Sequence, residues 1–76
     1  MRGYLKKLRE DRGLSQQDVA EKLAVSRQYY SLIENGDRQP NMDITLGAKL
    51  ASALGVSMQA IITAETDYIS SRQEAN

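Results

Sequence analysis

Neither cysteine nor histidine occurs among the 76 residues. Without cysteine there is no disulfide and no thiolate metal site. Without histidine the usual general base near neutral pH and the commonest metal ligand are both missing. An active site would have to rest on paired carboxylates or an activated lysine, and no acidic pair marks a pocket. No catalytic residue, metal or cofactor is therefore expected. Phenylalanine and tryptophan are also absent, and the one proline is Pro40. No apolar run approaches the length of a membrane span. The start, MRGYLKKLRE, is too charged for a signal peptide, and Arg2 stands where myristoylation needs glycine. These absences point to a soluble, cytoplasmic chain with no membrane partner. Its length allows one domain, with a modest core that is marginal without covalent staples.

Charge of one sign is lacking too. The formal net charge is zero and the isoelectric point about 6.2, which is not the basic balance of most nucleic-acid binders. The distribution is uneven. Residues 1–12 hold five basic side chains (Arg2, Lys6, Lys7, Arg9, Arg12) against Glu10 and Asp11. Residues 41–76 hold Lys49 and Arg72 against Asp43, Glu65, Asp67 and Glu74. One end reads as basic and the other as acidic.

What is present is helical. Leu, Ala, Lys, Glu and Gln dominate. A first helix is expected over Arg2 to Arg12, with Gly13 as its C-terminal cap. A local pattern then recurs in Leu14-Ser15-Val19, Val25-Ser26-Tyr30 and Val56-Ser57-Ile61. An apolar residue precedes a serine, and another follows four positions after it. That is an N-cap with a hydrophobic staple, each cap worth about 1 kcal/mol. Asp18, three after Ser15, adds a capping box. Helices 2, 3 and 5 are placed by these starts. Helix 3 stops at Asn35-Gly36, and Pro40 keeps Gln39 out of a helix. Helix 4 starts between Asn41 and Asp43 and ends at Leu54, with Leu46, Leu50 and Leu54 on one side. Gly47 on that helix serves close packing or is merely tolerated. Helix 5 covers Met58 to Ala64. Residues 1–64 are read as the domain, and 65–76 as a polar, fraying tail.

Residues 16–35, QQDVAEKLAVSRQYYSLIEN, then read as two short helices joined by a tight turn, the helix-turn-helix arrangement. Val19, Ala20 and Leu23 share one face, and Tyr30 and Ile33 another. If Tyr30 and Ile33 point inward, with the Tyr30 hydroxyl near the surface, then Gln28, Ser31 and Leu32 point outward, flanked by Arg27 and Tyr29. Arg27 can pair bidentately with guanine, Gln28 with adenine, and Leu32 can touch a thymine methyl. Tyr29 and Ser31 can reach base or phosphate. Gln16 and Gln17 open helix 2, where free amides suit an anion. Ser26, Asn35, Arg38 and Gln39 bracket helix 3 and are further phosphate candidates.

The stretches LKKLREDRGLSQQDVAEKLAVSRQYYSLIENGDRQP and LASALGVSMQAI resemble the phage-repressor family of helix-turn-helix proteins, also called the Cro/cI or xenobiotic-response-element type. The resemblance covers about residues 5 to 62. It implies an all-α, five-helix, lambda-repressor-like domain that binds double-stranded DNA at palindromic operators, commonly as a dimer. By position, Gln16 would hold phosphate, and Arg27, Gln28 and Leu32 would face bases. It also implies that Arg9 pairs with Glu34 and braces helix 3. Two features depart from the family pattern. Ala24 stands in the turn where glycine is usual, and the segment from Gly36 to Leu54 is about two residues longer.

The expected function is a transcriptional regulator, as a repressor. The alternative on the same fold is an antitoxin or immunity-type regulator whose main partner is another protein. One motif reads few base pairs, and a neutral domain gains little non-specific attraction, so two copies are expected with recognition helices about 34 Å apart. Met58, Ile61 and Ile62 are the candidate dimer interface, with Val56, Tyr68 and Ile69 nearby. A chain this short cannot bury all of these under four short helices.

Overall fold

The structure, a computed structural model, describes residues 1–74. Five helices follow one another: α1 (Gly3–Asp11), α2 (Gln16–Leu23), α3 (Arg27–Asn35), α4 (Ile44–Leu54) and α5 (Met58–Glu74). No strand occurs among the described residues. The all-α, five-helix expectation is met.

One joint is used three times. A residue in the left-handed region ends a helix, an apolar residue follows, and a serine caps the next helix or, after Gly55, the start of α5. The joints are Gly13-Leu14-Ser15, Ala24-Val25-Ser26 and Gly55-Val56-Ser57. In each, the amide of the apolar residue reaches back to a carbonyl five residues earlier: Leu14 to Arg9, Val25 to Ala20 and Val56 to Ala51, all at 3.0 Å. Carbonyls that the helix end would leave open are thereby satisfied. Each serine hydroxyl then accepts the amide three residues on, from Asp18, Tyr29 and Ala60. At α2 the capping box is complete. The Asp18 carboxylate accepts the Ser15 amide at 2.8 Å, and that bond holds its pKa below the ordinary value.

The core is built from the faces these joints aim inward. Val19, Ala20 and Leu23 of α2 meet Tyr30 and Ile33 of α3, with Leu50 and Leu54 of α4, Leu5 of α1 and Ile61 of α5 closing around them. Gly47 is a packing glycine. A methyl group there would lie 2.9 Å from Cε of Met58, so its role is close approach of α4 and α5.

Three expectations change. Helix 5 does not stop at Ala64 but runs to Glu74. The stretch read as a fraying tail is helical as far as it is described, and its last two residues, 75 and 76, lie outside the described residues. Its anchors are polar: Glu65 is buried, and Tyr68 packs so close to Gly36 that a methyl on that glycine would come within 2.5 Å of the phenol oxygen. Ile61 is only 1 % exposed. It belongs to the core and is removed from the candidate dimer surface. The Tyr30 hydroxyl is buried, not near the surface.

Ala24 has φ +59° and ψ +41°, so the turn keeps the left-handed geometry without glycine. An L side chain there is strained by about 1–2 kcal/mol. Glycine would relieve this, offset by about 0.4–1 kcal/mol of added freedom in the unfolded chain. Ala24→Gly is therefore expected to raise the melting temperature by a small amount. A lower melting temperature would mean the methyl makes contacts that outweigh the strain.

Candidate nucleic-acid interface

Helix α3 has two unlike sides. Tyr30 and Ile33 are fully buried, and one turn away Arg27 and Gln28 stand in solvent. Ser31 and Leu32 are half-exposed beside them. Tyr29 divides its surface: its ring packs on the edge of the core, and its hydroxyl accepts Nε2 of Gln39 at 3.4 Å. Ser26 and Asn35 mark the two ends of the helix and are exposed. The structure thus brings Arg27, Gln28, Ser31 and Leu32 to one outward face and sets Tyr29 at its margin.

The far end of α3 is fixed by a buried ion pair. Arg9 of α1 donates from Nε to Glu34 Oε2 at 3.0 Å and from Nη2 to Oε1 at 3.1 Å. Its Nη1 holds the Leu14 carbonyl at 3.0 Å. Glu34 is 1 % exposed. Burial alone would raise its pKa. The Arg9 hydrogen bonds, with help from Gln16, outweigh this and hold it below the ordinary range. Arg9 is raised in turn, chiefly by its bonds to Glu34. Tyr30 is pushed up by burial and by the neighbouring Glu34 charge, so its phenol stays protonated. The brace implied by the family resemblance is therefore present and desolvated.

Gln16, expected to hold phosphate, sits at the first turn of α2 with Nε2 donating to Glu34 Oε1 at 3.3 Å. The brace thus orients it. Gln17 is exposed, its amide bonded to Glu21 at 3.1 Å. The amides of this first turn have no partner inside the helix. Arg38 is exposed and Gln39 half-buried, both on the loop that wraps the end of α3.

A second arginine, fully buried, left no signal in the sequence. Arg2, counted above among the basic residues of one end, is 0 % exposed. It pairs with Glu65 of α5 at 2.8 Å, and Tyr4 donates to the same carboxylate at 2.7 Å. Two of the five basic residues at that end are thus consumed internally, by Glu34 and Glu65. The uneven charge of the sequence does not become a basic face. The contact spans 63 residues and leaves no periodic or local signal that could have found it.

A helix-turn-helix family model matches residues 5–61, a span that runs from within α1 to the first turn of α5 and holds both helices of the motif. The chain belongs to the Cro/cI-type helix-turn-helix family. Its relatives carry matching names. An uncharacterized HTH-type transcriptional regulator, YqaF, of Bacillus subtilis is 42% identical over 52 residues, 66% of this chain and 68% of the relative. Another, y4dJ of Sinorhizobium fredii, is 44% identical over 57 residues, covering 75% of this chain and 71% of the relative. The control protein C.MunI of a Mycoplasma species is 37% identical over 60 residues, 78% of each chain. No solved structure matches the chain. The protein is a DNA-binding transcriptional regulator. In this helix-turn-helix regulator no single described helix is long and apolar enough to cross a membrane.

The Glu34 brace gives the regulator an acid-sensitive stability. A carboxyl whose pKa is lower in the folded state binds its proton more weakly there. Its contribution is in full force above the ordinary glutamate value of 4.5 and is lost as the pH falls through the folded value. Removing one partner of a buried pair costs about 3 kcal/mol or more. Glu34→Gln is expected to be less stable than the parent in urea at pH 7, with the gap narrowing as the pH is lowered below 4.5. A gap that stays constant with pH would show that Glu34 does not titrate on unfolding.

Proposed function

We propose that the regulator reads operator DNA with α3 in the major groove, as a homodimer on an inverted repeat. The observation that carries this is the two-sidedness of α3: Arg27 and Gln28 are free at its first turn while Arg9 and Glu34 fix its last. A recognition helix contacts bases with its N-terminal residues. Arg27 suits guanine, Gln28 adenine, and Leu32 a thymine methyl, with Ser31 and the edge of Tyr29 beside them. Gln16, Gln17, Ser26, Asn35, Arg38 and Gln39 surround that face and would contact phosphates, which set register without reading sequence. Occupying an operator can block a promoter without a further partner, which supports repression as the outcome. The work is non-enzymatic and takes place in the cytoplasm.

The second copy would dock on α4 and α5. Ile44 and Ile62 are 81 % and 47 % exposed. They flank a groove of about 240 Å³ that also takes in Met42, Met58 and Ile69. Met58 and Ile62 remain from the expected interface, Ile44 is added, and Ile61 is gone. Large apolar side chains grouped on a small domain's surface mark a contact site.

Selection of bound sequences from random DNA should enrich an inverted repeat, and sedimentation should show a dimer that binds two half-sites far more tightly than one. A monomer that binds one half-site as well as a palindrome would overturn the dimer and turn attention to a different protein partner. On the selected operator, Gln28→Ala should relax specificity at one base pair per half-site, at a cost of about 1–3 kcal/mol. Equal weakening on every sequence would place Gln28 on the backbone.

A further inference from the structure

We propose, taking the loop after α3 as a phosphate contact, that Arg2 is a positioning residue for DNA binding: it fixes the shape in which that loop presents Arg38 and Gln39. A guanidinium has five N–H donors in a rigid fork. All five are used here. Nε and Nη2 donate to the two carboxylate oxygens of Glu65 at 2.8 and 2.9 Å. Nη1 donates to the carbonyls of Ile33 at 2.7 Å and Arg38 at 3.1 Å. Nη2 also donates to the carbonyl of Gln39. Two acceptors belong to α5 and three to the stretch from the end of α3 into the loop.

The backbone around Arg38 is thereby held from both sides. Its amide donates to the Leu32 carbonyl at 3.2 Å, and its own carbonyl is held by Arg2. Gln39, next along, has φ +55°, a conformation that L side chains rarely adopt. In that conformation its carbonyl faces Arg2, and its side chain reaches the Tyr29 hydroxyl at 3.4 Å and the Asp43 amide at 3.4 Å. The Arg2 amide itself donates to the Glu34 carbonyl at 2.7 Å. One residue thus ties the last turn of the recognition helix to the loop and the loop to α5.

Arg2 cannot touch DNA, because none of its surface reaches solvent, and its charge is matched by Glu65. Any effect it has on phosphate contacts must pass through the last turn of α3, whose Ile33 and Glu34 carbonyls it holds, or through the loop that follows. That separates a positioning role from a purely structural one. Each phosphate neutralised by a Lys or Arg side chain adds about 0.9 to the slope of log affinity against log salt on duplex DNA, so of this loop's residues only Arg38 enters it. Loss of folded protein lowers the affinity without changing that slope.

The test is the salt dependence of binding to the selected operator, for the parent, Arg2→Lys, Arg38→Ala and the double variant, with thermal melts to confirm folding. Lysine keeps the charge, but its compact ammonium cannot span two carboxylate oxygens and three carbonyls. Arg38→Ala should make the slope shallower by about 0.9 per subunit. Arg2→Lys should do the same while remaining folded, and the double variant should add nothing to the slope. If Arg2→Lys fails to fold, Glu65→Gln, which removes the charge facing Arg2 but keeps its shape, should give a smaller shift in the same direction. A parental slope in the folded Arg2→Lys or Glu65→Gln variant, beside a shallower one in Arg38→Ala, overturns the role of Arg2 alone. A parental slope in Arg38→Ala overturns the phosphate reading of the loop, and the proposal with it.

Discussion

Glu34 carries a negative charge into a place where 1 % of its surface meets solvent, and that charge persists because Arg9 meets it with two hydrogen bonds. An unpaired carboxylate there would cost several kcal/mol or take up a proton. The pair therefore dictates where α1 can lie relative to α3. Gln16 leans on the same carboxylate, so the start of α2 is placed by it too. Three helices take their relative orientation from one buried anion.

The chain uses this device twice. Arg9 and Glu34 form one pair, and Arg2 and Glu65, joined by Tyr4, the other. Burial of an ion pair is weak evidence for net stability, since desolvation offsets much of the attraction. Its value is directional. A small core of leucines and isoleucines excludes water but tolerates sliding, whereas a guanidinium fork fits a carboxylate in one geometry. A protein whose binding helix must hold a fixed pose gains more from orientation than from another buried methyl group. The Tyr68 ring below the Arg2 guanidinium, 5.2 Å away, adds an aromatic floor of the same directional kind.

The motif was legible in the sequence because its signals are local. Three Ser caps lie within four residues of their staples, whereas the left-handed turn at Ala24 was implied by the family resemblance, since alanine gives no local signal for it. The outward face of α3 followed from helical periodicity alone. The Arg9–Glu34 brace came from family resemblance, since no spacing connects residues so far apart. The length of α5 was missed because its second half is held by Glu65 and Tyr68, polar residues that give the helix little amphipathic pattern. In the sequence Arg2 is only one of five basic residues at its end, because the partner that makes its burial tolerable lies 63 residues away.

That separation has a kinetic meaning. Contacts within α2 and α3, and between α4 and α5, close short loops and need little chain entropy. The Arg2–Glu65 contact must close a loop across 63 residues, so it belongs among the last to form. Interactions absent from the folding transition state act mainly on the rate of unfolding. Glu65 is thus a lock on the exit from the native state. Sub-global opening would begin by releasing residue 2 and the loop around Arg38, while the α2–α3 pair stayed intact, so amide exchange should be fastest at the edge of the DNA-facing surface and slowest at its centre.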